Sequence, residues 1–130
     1  MMTTVIYASI LAMLMCWLSM KVIKARRKNR IKYADGDCDE LKIARSAQSN
    51  AVDYIPITLI LLFALEYNGG HLLLVHVIGI VFVIGRVVHC QSILADKLRG
   101  RVTGMKITFG VILILAVVNL VYLPYSELLP

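Results

Sequence analysis

The fold is decided by residues 47–94, where two long apolar runs are separated by only a few residues: AQSNAVDYIPITLILLFALEYNGGHLLLVHVIGIVFVIGRVVHCQSIL. A helix needs roughly 20 apolar residues to cross about 30 Å of hydrocarbon, and each run is about that long. The connection is NGGH, and its Gly69 and Gly70 can adopt the positive φ of a tight turn. The stretch therefore predicts two antiparallel membrane helices, Ala47–Tyr67 and Leu72–Leu94.

Two more apolar runs, Thr4–Ile23 and Met105–Tyr125, flank this hairpin. The 130 residues are 59% hydrophobic and only 17% charged, which is too apolar for a soluble domain of this size. The first run has its positive charges after the apolar stretch, whereas a signal peptide has them before it. The sequence predicts an all-α integral membrane protein in which residues 1–130 form a single four-helix bundle.

The basic residues are concentrated in or beside two of the three connections, which hold twelve of the fourteen Lys and Arg residues: Lys24, Arg26, Arg27, Lys28, Arg30, Lys32, Lys42 and Arg45 in the first, and Lys97, Arg99, Arg101 and Lys106 in the third. Because Lys and Arg accumulate in cytoplasmic loops, both connections are predicted to be cytoplasmic and both termini periplasmic. The net charge of +6 is compatible either with contacts to anionic lipid headgroups or with an anionic ligand at this face. A nucleic acid partner is not expected, since no separate basic domain exists.

Four polar residues lie inside the two central spans, with Asn50 and Asp53 on the second and Arg86 and His89 on the third. An isolated charge at this depth costs about 2.5–3.5 kcal/mol on insertion scales. Since antiparallel neighbours bring Asp53 and Arg86 to a similar depth, we expect them to pair inside the bundle. Such groups either hold helices together, at about 0.6 kcal/mol each, or form a ligand site.

Two other polar residues in the spans, His76 and Asn119, are expected to bond a neighbouring backbone carbonyl rather than a metal. The His, Cys and Glu residues do not show the spacing of a metal site, so no metal is predicted.

Four motifs resemble those of one family in order and spacing: NAVDYIP after a basic loop, NGG as the tight turn, GRVVH in the third span and RVTGM entering the fourth. They are similar to the membrane-associated proteins in eicosanoid and glutathione metabolism, the MAPEG family, and especially to its short inner-membrane members in Gram-negative bacteria. The resemblance implies a homotrimer in the bacterial inner membrane with glutathione, as co-substrate, bound between subunits. It assigns glutathione binding to Arg45, Asn50, Asp53, Arg86 and His89, and stabilisation of the glutathione thiolate to Arg101.

Three positions depart from the family pattern. Ser46 stands where an Arg is common, although Arg45 is adjacent, and Gln48 and Ile93 replace a frequent His and a frequent Tyr. Isoleucine cannot donate a hydrogen bond to a ligand. Two functions therefore stay open: a glutathione transferase or peroxidase acting on lipophilic small molecules, and a non-catalytic lipid-binding or scaffold protein of the same fold.

Overall fold

The computed structural model describes residues 2–125, which form four helices: α1 Thr4–Asn29, α2 Asp39–Tyr67, α3 Leu72–Leu94 and α4 Leu98–Tyr122. All regular secondary structure in this range is helical, and all four helices are long and apolar enough to cross a membrane. The prediction of an all-α protein with four membrane-spanning helices is confirmed. Met1 and residues 126–130 lie outside the described residues, and so do the chain termini whose location was predicted.

The central helices of the bundle are α2 and α3. Each packs against the other and against both α1 and α4, whereas α1 and α4 do not pack against each other within residues 2–125. Side-chain hydrogen bonds join the outer helices to the centre. Tyr7 Oη on α1 lies 2.7 Å from His76 Nδ1 on α3, and Asn119 Nδ2 on α4 donates to the Leu61 carbonyl of α2 at 2.9 Å.

Both basic connections lie at the same end of the bundle, which we call the basic end. Thr4, at the start of α1, contacts Glu66 near the end of α2, while Lys28, near the end of α1, contacts Glu40 at the start of α2. These contacts make α1 and α2 antiparallel, and α3 and α4 continue the alternation. The connections at residues 30–38 and 95–97 are therefore together, as the charge pattern predicts, and Gly69 lies at the opposite end.

The helices at the basic end are longer than the predicted apolar runs. The observed bounds, with the predicted ones in parentheses, are Asn29 (Ile23) for the end of α1, Asp39 (Ala47) for the start of α2 and Leu98 (Met105) for the start of α4. Hydropathy detects only the part of a helix that can lie in hydrocarbon. The polar extensions of α1 and α2 stay helical because they bury a small apolar cluster between them, formed by Val22, Ala25, Leu41 and Ala44.

The tight turn between α2 and α3 is confirmed. Gly69 has a φ of 80°, and its N–H donates to the Glu66 carbonyl, while the Gly70 N–H donates to the Leu65 carbonyl at 2.8 Å. This is the Schellman arrangement that closes many helices. The two glycines serve different purposes: Gly69 supplies the left-handed conformation, whereas a Cβ on Gly70 would lie 2.6 Å from the Leu65 carbonyl oxygen.

The first turn of α1 is capped by a side chain from α2. The Glu66 carboxylate accepts hydrogen bonds from the backbone N–H groups of Thr3 and Thr4, the second at 2.8 Å. The first N–H groups of a helix have no partner within the helix, and a carboxylate also interacts favourably with the positive end of the helix dipole. Glu66 thus joins α1 to α2 at the end opposite the basic end.

Helices α3 and α4 approach each other closely where α4 carries glycine at two positions four residues apart, Gly100 and Gly104. A Cβ on Gly104 would lie 2.5 Å from His89 Cβ and 2.8 Å from His89 Cα. Small residues at this spacing let membrane helices pack backbone to backbone. The contact fixes the position of α4, and therefore of Arg101, relative to α3.

Candidate functional site

Arg86 is the most deeply buried charged side chain among the described residues, with no exposed surface. Its Nη2 donates to Asn50 Oδ1 at 2.8 Å and its Nη1 to Thr108 Oγ1 at 3.3 Å, so it joins α3 to both α2 and α4. Thr108 Oγ1 donates in turn to the Gly104 carbonyl at 2.9 Å. The Nε of Arg86 has no hydrogen-bond partner within residues 2–125.

The predicted pairing of Asp53 with Arg86 is wrong. Ion pairs between described residues involve Lys28 with Glu40 and Lys42 with Asp37 and Asp39, and Asp53 is in none of them. The reason is helical geometry. Asp53 is two residues from both Ala51 and Ile55, which are buried, so at 3.6 residues per turn it points to the opposite, exposed side of α2. Asn50 occupies the place expected for Asp53.

Asp53 instead contributes to an open groove of about 530 Å³ on α2, which we call the polar groove. Three predicted residues line it together, namely Arg45, Asn50 and Asp53. The other lining residues are also polar: Asp35, Lys42, Ser46 and Ser49. The groove thus brings two cations, two carboxylates and an amide onto one surface at the basic end of the bundle.

The two cations of the polar groove differ in how far they are already neutralised. Lys42 Nζ lies 3.0 Å from Asp37 Oδ1, and this hydrogen bond lowers the pKa of the Asp37 carboxyl. Arg45 is exposed, and no described carboxylate lies within 4 Å of it. Arg45 is therefore the cation in the polar groove that is best placed to bind an anionic group of a ligand.

A second groove, of about 440 Å³, lies between α2, α3 and α4, and we call it the apolar groove. Asn50, His89 and Arg101 line it, together with Ser46 and Lys106. The rest of its wall is hydrophobic: Ile93, Leu98, Val102, Met105 and Phe109. Ser46 and Asn50 border both grooves, so the polar and apolar grooves are neighbours on the same part of the molecule.

The predicted residues are therefore distributed around Asn50 rather than gathered in one cluster. Asn50 touches both grooves and Arg86, while its Nδ2 also lies 3.7 Å from Met105 Sδ. His89 is 3% exposed, and its Nδ1 has no partner among the described residues. Arg86 lies behind Asn50 and lines neither groove, so it supports the site from within the bundle.

Several residues at the site were missed by sequence reasoning. Thr108, the second partner of Arg86, lies four residues after Gly104, and this spacing of small residues was the available signal. Lys106 was counted only as a topology charge, although it lines the apolar groove. Asn119 bonds a backbone carbonyl as predicted, whereas His76 bonds the Tyr7 hydroxyl through its ring.

Comparison with known proteins supports the interpretation of the motifs. The family model for the MAPEG family matches residues 4–121, which includes all four helices except the last residue of α4. The chain is 36% identical over 125 residues, 96% of its length, to the inner membrane protein YecN of Escherichia coli strain K12, of which 95% is covered. The same values hold for YecN of Escherichia coli O6:H1 strain CFT073. The chain belongs to the MAPEG family, as its motifs predicted.

Proposed function

We propose that this inner-membrane protein binds glutathione and transfers it to lipophilic electrophiles, or uses it to reduce lipid hydroperoxides. The observation that carries the proposal is the adjacency of the polar and apolar grooves, which share Ser46 and Asn50. A transferase of this kind needs a polar site for the tripeptide and an apolar site for an acceptor that arrives from the bilayer. The two grooves provide both at one location.

The residues of the polar groove match the chemical groups of glutathione, which carries two carboxylates, an ammonium and two amides. Arg45 can bind a carboxylate through paired N–H donors, and Asp53 can bind the ammonium. The Asn50 amide can bond the peptide links, although its oxygen already accepts a hydrogen bond from Arg86. That bond holds the orientation of Asn50 from behind, which favours a rigid ligand contact.

Arg101 is the residue proposed to act on the thiol. A free thiol has a pKa of about 8.5 and is mostly protonated at neutral pH, whereas a nearby guanidinium stabilises the thiolate. Arg101 lines the apolar groove, so a thiol that reaches past Asn50 would meet both this cation and a lipophilic acceptor. In conjugation the sulfur then bonds to the electrophilic carbon, and the leaving group departs with the bonding electrons.

A homotrimer is part of the proposal. Both grooves open on the outside of a single subunit, and the charged Asp53 is exposed on a helix that crosses the membrane. A charge in that position is costly next to lipid. A neighbouring subunit that covers the polar groove would remove Asp53 from lipid and enclose the ligand.

The second candidate function, a non-catalytic lipid-binding or scaffold protein, is favoured by Ile93. This residue lies in the wall of the apolar groove, at the position where many catalytic relatives are expected to carry a tyrosine, and it offers no hydroxyl. Binding of glutathione to the purified protein, followed by a conjugation assay with a generic electrophile, separates the candidates. Binding with turnover supports the transferase, while binding without turnover supports the non-catalytic protein.

Replacing Arg101 with alanine is expected to reduce conjugation at pH 7 by about tenfold. Without the guanidinium the pKa of the bound thiol should rise by about one unit, which leaves about tenfold less thiolate. Activity should partly recover at higher pH, where the thiolate forms unaided. The measurement is the pH profile of thiolate absorbance and of conjugation. Arg99→Ala is the matched control, since Arg99 is in the same helical turn and does not line the groove. Identical profiles for wild type and Arg101→Ala would remove Arg101 from the mechanism.

The basic end is proposed to face the cytoplasm, which places both termini in the periplasm. Alkaline phosphatase fused to the C-terminus should therefore be active, while the same enzyme inserted between Asp35 and Gly36 should be inactive. Green fluorescent protein at the two positions should give the reverse result. An inactive phosphatase at the C-terminus with a fluorescent reporter there would invert the topology.

A further inference from the structure

A third groove, of about 300 Å³, lies at the basic end of α1 and is separate from the polar and apolar grooves. We call it the basic groove, and its lining residues are Arg26, Arg27, Arg30, Ile31 and Lys32. It contains four cations and no carboxylate. The surrounding sequence is also exclusively basic in its charges, with seven Lys and Arg residues and no Asp or Glu between residues 21 and 32.

The charges of the basic groove are not neutralised within the described residues. Lys28, which lies outside the groove, has Glu40 at 2.9 Å, but none of the four groove cations has a described carboxylate within 4 Å. Arg26 is the one groove cation with hydrogen bonds to other described residues, from Nη1 to the carbonyls of Ala34 at 3.0 Å and Lys32 at 3.4 Å. Three cations stay available to an anion.

The shape of the basic groove is fixed by the end of α1. Arg30 adopts the left-handed conformation, with a φ of 55°, and the Ile31 N–H donates to the Arg26 carbonyl at 3.0 Å. Ile31 also packs against the apolar cluster that joins α1 to α2. The negative end of the α1 dipole, equivalent to about half a charge, opposes anion binding here, but four cations outweigh it.

The end of the apolar run of α1 places the basic groove at the level expected for lipid phosphates. Arg27 is four residues beyond Ile23, the end of the apolar run, which places it about 6 Å past the hydrocarbon boundary. Each headgroup layer is about 5–7 Å thick.

One stripe of α1 below the groove is apolar. Met20, Ile23 and Arg27 are spaced by three or four residues within the helix, so they lie on one face. Met20 is 49% exposed and Ile23 is 39% exposed, and both lie on the hydrocarbon side of Arg27. The stripe therefore combines a hydrophobic surface for an acyl chain with a cationic surface for a phosphate.

We propose that the basic groove binds the phosphate of an anionic phospholipid, such as phosphatidylglycerol, whose acyl chain lies along Met20 and Ile23. The proposal does not depend on glutathione binding, since the groove shares no residue with the polar or apolar groove. It also goes beyond a general attraction of basic loops to the membrane. It assigns a defined class of lipid to a defined groove.

Native mass spectrometry of the detergent-purified protein tests the proposal by titration with phosphatidylglycerol and, separately, phosphatidylcholine. The wild-type protein should bind phosphatidylglycerol at least about tenfold more tightly, and Arg27→Gln/Arg30→Gln should weaken that binding by about 30-fold. Lys21→Gln/Lys24→Gln, which removes the same charge from the same helix outside the groove, should change it by less than about threefold. If the first double variant loses helical content, Arg27→Gln alone should weaken binding by about fivefold.

Three outcomes would overturn the proposal. Equal weakening in the two double variants would mean that the attraction is diffuse. Equal affinity of the wild type for the two lipids would mean that the groove does not recognise the headgroup charge. Displacement of phosphatidylglycerol by an equal concentration of inorganic phosphate would mean that the groove binds soluble phosphate rather than lipid.

Discussion

Replacing Asn50 with leucine is expected to lower the free energy of unfolding by about 2 kcal/mol, because it removes an acceptor from the buried, charged Arg86. Asp53→Asn, three residues away, should change it by less than about 0.5 kcal/mol, since Asp53 is exposed and bonds no described cation. Both variants can be measured by reversible unfolding of the detergent-solubilised protein in a denaturing detergent.

A double-mutant cycle tests the assignment of partners directly. In an Arg86→Met background no charge is left without an acceptor, so Asn50→Leu should become nearly neutral, and the coupling between the two positions should be about 1–2 kcal/mol. The matched cycle of Asp53→Asn with Arg86→Met should show coupling close to zero. Additive effects in the first cycle and strong coupling in the second would restore Asp53 as the partner of Arg86.

Replacing Gly104 with alanine is expected to destabilise the bundle by about 1–3 kcal/mol. The added Cβ would lie 2.5 Å from His89 Cβ and 2.8 Å from His89 Cα, and these atoms cannot rotate away as a long side chain can. Helices α3 and α4 would have to separate. The Arg86 bond to Thr108 would lengthen with them, because Thr108 is one helical turn further along α4.

The matched control for Gly104→Ala is Gly110→Ala on the same helix. Beyond its own stretch of helix backbone, a Cβ on Gly110 would meet no described atom within 4 Å, so this change should be neutral or stabilising by up to about 1 kcal/mol. The same unfolding assay measures both variants. Equal stability of the two would contradict the close contact between α3 and α4 at His89.

The four helices and their order could be predicted because bilayer thickness sets a length that apolar runs must meet. The NGG turn could also be predicted, since the turn needs a left-handed residue and Gly69 supplies it. The partner of Arg86 could not be predicted. The depth of a residue along a helix depends only on its number, and depth and charge were the grounds for pairing Asp53 with Arg86. Whether a side chain faces a neighbouring helix depends on the rotation of its own helix about the axis. For α2 that rotation is set by the buried Ala51 and Ile55.

The sequence named candidate site residues, but it did not show which of them lie together. Arg45, Asn50 and Asp53 share one groove, and Asn50, His89 and Arg101 share another, yet no pattern in the sequence divides them in this way. The division follows from the three-dimensional path of α4 past α2 and α3. Lys106 and Met105 join the site for the same reason, through contacts between helices that are distant in sequence.

The cap that Glu66 provides for α1 has a consequence for how the chain is built. During synthesis Thr4 emerges 62 residues before the carboxylate that binds its N–H, so the first turn of α1 gains this partner only after most of α2 has been made. Until Glu66 is in place, those donors need other partners, such as water. A nascent chain that ends before residue 66 therefore lacks the cap of its first helix.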